Sequence, residues 1–199
     1  MELNLVGAAL VTGEGLPPAK ALGYEYLVGA NGLFIRAEDS RMAARVLVAG
    51  AQLSGLAPVV PDARLKTPRI PGDWLWSVLG SARRHLPNER AFQFTWDDIG
   101  ARWRCDAPFQ DADPASVTYA DIPGAVVDLH SHGTLTAFFS STDDADEQGL
   151  RFYVVVGRVD TNTPTITARV GVYGHVMPVP AWTIFDGLGP FTEVPDVID

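Results

Sequence analysis

The stretch VVDLHSHGTLTAFFSSTDD, residues 126–144, decides how this chain is read. Its first half is the apolar run of a strand, and its second half gathers the hydroxyls and acids that open a helix. Successive side chains of a strand face opposite ways, so His130 and His132 share a face with Asp128 and Val126. Two imidazoles at that spacing can fill two positions of one tetrahedral zinc site, and a third ligand must come from elsewhere. Seven residues separate His132 from Ser140, and two separate Ser140 from Asp143. A helix that starts at Ser140 or Ser141 carries Asp143 in its first turn, where its carboxylate can swing back toward the rings. Ser140, at the helix mouth, can donate a hydrogen bond to a bound oxygen. His-x-His alone is common, and Ser-x-x-Asp alone is a helix-capping pattern. In this order, on strand, loop and helix start, the pieces point together to a metal site.

Outward from this stretch the pattern is that of one α/β unit. Leu75, Val78, Leu79, Ala82 and Leu86 recur at helical spacing, with Asp73 placed to cap the start and Pro87 to end the helix. RAFQFTWDDIGARWRCDAPF alternates on either side of DDIG and reads as a hairpin, in which Asp97 and Asp98 are turn residues. LRFYVVVGRVD reads as a strand buried on both faces, and TITARVGVYGHVMPVPAW supplies another strand or two. Upstream, Asn31-Gly32 lies between two apolar runs and predicts a hairpin, with ARVLVAGAQL as a third strand. Prolines at 58, 61, 68 and 71 predict an irregular linker over residues 56–72. The expected organisation is a small, mainly β N-terminal region (residues 1–66) followed by an α/β domain (residues 67–199) with a mixed β-sheet flanked by helices. The acidic tail EVPDVID is expected to be loose.

Composition narrows the function. A chain of 199 residues with 47% hydrophobic side chains can bury a sizeable core. The net charge of −9 argues against a nucleic-acid binder, because phosphate neutralisation needs clustered cations, and the pairs Arg83/Arg84 and Arg102/Arg104 read as solvated faces. The single cysteine, Cys105, excludes an intrachain disulfide and reads as structural. No basic n-region precedes the short apolar runs of the N-terminus, and no apolar run is long enough for a bilayer. A cytoplasmic protein with no membrane partner is expected.

His130-Ser131-His132, seven residues, Ser140, two residues and Asp143 resemble the full signature of the JAMM zinc metallopeptidases, also called MPN-plus or JAB. Gly133 stands where proline is frequent after the second histidine, and Phe139 where proline often precedes the serine; neither position supplies a ligand. More narrowly, HSHGTLTAFFSSTDDADEQGLRFYVVVG resembles protein A of the bacterial PRTRC cassettes, a JAB-type branch found with ThiF-like proteins. The general resemblance spans about residues 72–185 and implies a JAB/MPN, cytidine-deaminase-like fold. It implies zinc held by His130, His132 and Asp143, with Ser140 stabilising the oxyanion. It also implies a glutamate base at the start of the strand after the first long helix. In HLPNERAFQF that residue is Glu89, with Glu25 and Glu38 as rivals. Asp128 reads either as a partner that orients an imidazole or as a surface acid.

The implied activity is hydrolysis of an amide or isopeptide bond. The implied substrate is a peptide tail or a ubiquitin-like modifier, and the implied partner is a ThiF-like activating protein. The competing reading is a non-catalytic MPN-type scaffold, since many relatives have lost ligands. A zinc deaminase wants a Cys-x-x-Cys pair, which one cysteine cannot supply. His85 and His175 stand apart from the cluster and read as structural.

Overall fold

The turn at Asn31-Gly32 opens the first of two large sheets. The computed structural model of the chain describes residues 5–13, 15–114 and 116–195. Across that turn β2 (Tyr24–Gly29) pairs antiparallel with β3 (Gly32–Glu38). β4 (Met42–Gly50) pairs with β3, and β1 (Val6–Leu10) runs parallel to β2. The expected linker is not irregular throughout. Asp62–Leu65 form β5, antiparallel to β4. These four residues lie clear of Pro61 and Pro68, and an edge strand needs backbone partners on one side only.

The second sheet follows the helix α1 (Trp74–His85), whose buried stripe is Leu75, Val78, Leu79 and Ala82. Asp73 occupies the N-cap position, but its carboxylate makes no capping hydrogen bond, which corrects the expectation. β6 (Ala91–Asp97) and β7 (Arg102–Asp106) form the expected hairpin, with Asp97 Oδ1 accepting from the amides of Ile99 and Gly100. A small hairpin of β8 (Gln110–Ala112) and β9 (Val117–Tyr119) precedes β10 (Ala125–Ser131). Then come α2 (Ser141–Asp146), β11 (Leu150–Gly157), β12 (Thr165–Val172) and β13 (His175–Pro178). The spatial order is β13-β12-β11-β10-β6-β7, with β10 and β11 the parallel neighbours within it. The tail begins as β14 (Thr192–Glu193), parallel to β12; residues 196–199 lie outside the described residues.

The faces of this sheet differ in chemistry. Phe92, Phe94, Val127, Leu129, Phe152, Val154, Ile166, Ala168 and Val170 enter the core. The residues between them, Gln93, Asp128, His130, Tyr153, Thr167 and Arg169, are buried on the opposite face. Only one helix of length covers the apolar face, so "flanked by helices" is corrected for the described residues. Much of the remaining cover is the N-terminal sheet, whose Ile35, Ala37, Met42, Ala44 and Val46 share that core with Ala181, Ile184 and Phe185 from the segment after β13. Two sheets packed face to face need no second helical layer. Val126 also departs from expectation. The β10 register shifts between Ala125 and Val127, and Val126 turns into the core instead of sharing the face of His130.

Arg83 is not simply solvated: its guanidinium donates to the carbonyls of Val159 and Thr161 and ties α1 to the turn after β11. Cys105 is exposed on β7. Among the described residues no helix is long and apolar enough to cross a membrane.

Because the two large sheets share one core, Ile35→Ala should cost about 2–5 kcal/mol and move the whole unfolding transition. Urea unfolding followed by tryptophan fluorescence checks this. A separate early phase for the N-terminal sheet, with the later phase unmoved, would contradict it.

Candidate metal centre

The site is built by register. In the antiparallel pair β6·β10, Ala91 lies opposite His130 and Gln93 opposite Asp128. The ladder continues past the strand ends, where Arg90 O accepts from Ser131 N and Arg90 N donates to Ser131 Oγ. Glu89, two residues before Ala91, is thereby carried to the end of β10 where His132 leaves the strand. Its own amide donates to Asp113 O. Glu89 is 6% exposed and lines a cleft of about 530 Å³ together with His130, His132, Ser140 and Asp143. The structure therefore brings all five sequence-predicted site residues to one place. The rivals lie elsewhere: Glu25 is forked by Arg36 in the N-terminal sheet, and Glu38 pairs with Lys66.

Gly133 and Gly157 shape the connection from His132 to Ser140. Gly133 has φ of +52°, a left-handed conformation that the proline ring cannot adopt. At Gly157 a Cβ would lie 2.4 Å from Leu135 O and 2.3 Å from Ala137 N, so the loop rests directly on the end of β11. Ser140 then caps α2 in a capping box with Asp143. The Ser140 amide and hydroxyl donate to Asp143 Oδ2 at 2.6 and 2.7 Å. The capping and metal readings of Ser-x-x-Asp are thus compatible, because the cap is what aims the carboxylate.

His130 Nε2 lies 3.1 Å from His132 Nε2 and 3.2 Å from Asp143 Oδ1, and His132 Nε2 lies 3.8 Å from Asp143 Oδ2. One donor atom from each of the three residues falls within 4.8 Å of the others. Bonds of about 2.0–2.1 Å to a tetrahedral zinc place donors about 3.3 Å apart, so this set fits the ion. The His132 ring packs edge-on to Phe138, with centroids 4.5 Å apart. Its Nδ1 is buried without a hydrogen-bond partner, so the ring is fixed by packing and not by an acceptor behind it.

The protonation states suit a cation. Burial, then the neighbouring His130, push His132 down to about 4 and keep it neutral. Burial disfavours an ionised Asp143, but hydrogen bonds from His130 and Ser140 hold its carboxyl well below the usual range. Burial also opposes a charged His130, yet Asp143, Glu89 and Asp128 raise it above the ordinary imidazole value. Glu89 is pushed up to about 7, mainly by burial and further by Asp143 and Asp113, against the pull of His130.

The sequence leaves Asp128 open and does not single out Glu147 or Arg169. Asp128 is no surface acid: its oxygens accept from Tyr119 Oη at 2.7 Å, Gln93 Nε2 at 2.9 Å and Arg151 Nη1 at 3.2 Å. Glu147 is buried and accepts from Arg169 Nε at 2.6 Å. Burial pushes Glu147 up to about 8, while Glu147 and Asp144 hold Arg169 above its usual range although burial opposes it. The arginine keeps its charge, and the acid is the member that would yield first. An arginine inside the apolar run TITARVGV was the available signal, since a buried charge requires a partner. His85 bonds Ser81 O on α1, and His175 lies on β13, both outside the cluster.

Residues 73–170 match the family described as prokaryotic homologs of the JAB domain. That span runs from the start of α1 into β12 and contains every residue of the cluster. No curated protein matches the chain. Among solved structures, the solution structure of protein DSY2949 from Desulfitobacterium hafniense is similar at a TM-score of 0.38 and 13% identity, covering 64% of this chain and 92% of that one.

Because a proton on His130 competes with a cation, apparent metal affinity should fall as pH drops, starting above the ordinary imidazole pKa of about 6.5. Titration of the metal-free chain against a chelator at several pH values checks this. Affinity flat from pH 8 to 5 would contradict it.

Proposed function

We propose that this chain is a zinc-dependent amide hydrolase of the JAMM type, acting as a peptidase or isopeptidase on the tail of a ubiquitin-like modifier. The observation that carries the reading is the convergence of His130, His132 and Asp143 in a cleft that also holds the buried Glu89. The family match over residues 73–170 supports the metallohydrolase class. The PRTRC branch, the modifier and a ThiF-like partner rest on sequence resemblance. The scaffold alternative is disfavoured because an intact ligand set accompanies a carboxylate tuned for proton transfer.

In this reading His130, His132 and Asp143 would hold zinc, which supplies Lewis acidity to the scissile carbonyl and to water. Glu89 accepts the proton of the attacking water and delivers it to the leaving nitrogen, a task suited to a carboxyl tuned to about 7. Ser140, whose hydroxyl now donates to Asp143, can turn that proton to the developing oxyanion. The deep cleft limits water around Glu89 and preserves the desolvation that raises it.

Glu89→Gln should leave zinc content unchanged and lower kcat about 10²–10⁴-fold on a modifier–peptide fusion. Glu89 works ionised, so kcat/KM should fall tenfold per unit as pH drops through its pKa, at or below about 7 because a bound cation favours the carboxylate. Elemental analysis and pH-dependent cleavage check both. A Gln variant with near-normal turnover would overturn the assignment of the base.

A further inference from the structure

The helix that carries Asp143 lacks the usual means of staying in place. α2 has six residues, and Ser141, Thr142, Asp144 and Ala145 all keep solvent-accessible side chains. A helix of that length does not persist on its own, and this one offers no apolar stripe to a core. Its capping box orders Ser140 and Asp143 relative to each other, but it does not fasten the pair to the sheet that carries the histidines.

Beyond the contact of Asp143 with His130, a side chain of β12 does. Arg169 stands on β12, opposite Tyr153 of β11 and on the cleft side of the sheet, and is 3% exposed. Its Nε donates to Glu147 Oε2 at 2.6 Å, and its Nη1 lies 2.7 Å from Asp144 Oδ1. Its guanidinium carbon sits 3.8 Å over the ring of Phe139. Phe139 precedes Ser140, Asp144 follows Asp143, and Glu147 is the C-cap whose amide donates to Asp143 O. A single guanidinium therefore grips the segment before, within and after the Ser140–Asp143 pair.

We infer that Arg169 is a positioning residue for the metal centre: it fixes Asp143 against the His130/His132 pair by clamping Phe139, Asp144 and Glu147. This rests on the metal-site reading above. The chemistry requires arginine. A planar fork can meet two carboxylates along its edge while its face stacks on a ring, whereas a lysine ammonium is a point charge with no flat face to stack in that way. Partners behind metal ligands commonly govern affinity about 10–100-fold.

The test is a cobalt(II) titration of the full metal-free chain, following the visible absorption of the bound ion, together with amide hydrogen exchange of the metal-free chain over residues 141–147. Arg169→Met and Glu147→Gln are compared with wild type; Glu147→Gln keeps the side-chain volume should the arginine variant fail to fold. Arg36→Met serves as control, because Arg36 and Glu25 form a partly buried ion pair at 2.5 Å in the N-terminal sheet. Arg169→Met should weaken cobalt about 10–100-fold, alter its spectrum and speed exchange in α2, with Glu147→Gln following in the same direction. Arg169→Lys should fall between Met and wild type, and Arg36→Met should leave both readouts unchanged. Wild-type affinity and spectrum in both cleft variants, or an equal loss in Arg36→Met, would overturn the clamp while leaving the metal centre standing. A wild-type chain that binds neither cobalt nor zinc would overturn both.

Discussion

The central sheet permits only one register. β6, β10 and β12 alternate apolar side chains, which enter the shared core, with more polar ones on the opposite face, while β11 is largely apolar on both. A slip of one residue in β10 would drive Asp128 and His130 into a layer of Phe92, Phe94 and Phe152 and lift Val127 and Leu129 out of it. Each buried aliphatic side chain is worth about 1.5–3 kcal/mol, and an unpaired buried acid costs more, so the alternative is far out of reach. Hydrophobic patterning on one face thus places the ionisable groups on the other. The geometry at His130 is inherited from the core behind it.

Once fixed, the polar face has to be neutralised. Glu89, Asp121, Asp128, Asp143 and Glu147 all border the cleft, whereas among the described residues Arg151 is the one arginine or lysine in its lining. Arg151 is spent on Asp121 and Asp128, and Arg169, behind the wall, on Glu147 and Asp144. Asp128 is satisfied by a tyrosine, a glutamine and an arginine, which makes it a settled element of the wall. Among the described residues Asp143 and Glu89 have no such arginine. The charge left over is concentrated where two imidazole nitrogens already point, and a divalent cation would relieve it. Electrostatics and donor geometry therefore favour the same occupant.

Much of this was legible in the sequence, and for definite reasons. The hairpins at Asn31-Gly32 and Asp97-Gly100, α1, and the facing of His130 depend on local rules: turn chemistry, a 3.6-residue stripe and period-two alternation. The choice of Glu89 followed from the family resemblance and its place between the helix and the next strand, and the β6·β10 register gave it a neighbour. What escaped was non-local. β5 hides among prolines because its pairing with β4 is not local, reaching from Leu65 back to Met42 and from Asp62 back to Arg45. The N-terminal sheet as second layer, the bulge that turns Val126, and the Glu147–Arg169 pair are all set by contacts that no local pattern encodes. Arg169 was at least conspicuous, as a charge inside an apolar strand.

Ser140 and Asp143 illustrate how one local motif serves two levels. The capping box commits Asp143 Oδ2 to the amide and hydroxyl of Ser140, at 2.6 and 2.7 Å. That leaves Oδ1 as the oxygen 3.2 Å from His130 Nε2, so the carboxylate presents one edge to the rings and is not free to rotate. A carboxylate without the cap could spend both oxygens on the imidazoles or on water. The approach of residues 135–137 to Gly157 sets how far the connection reaches before α2 begins, and Gly133 supplies the left-handed turn that starts it. Backbone shape, cap and clamp thus act in series on a single carboxylate. The short helix needs no core of its own, because its role is to hold the Asp143 carboxylate, with Oδ1 toward His130 and Oδ2 toward His132, against two rings carried by a sheet that cannot slip.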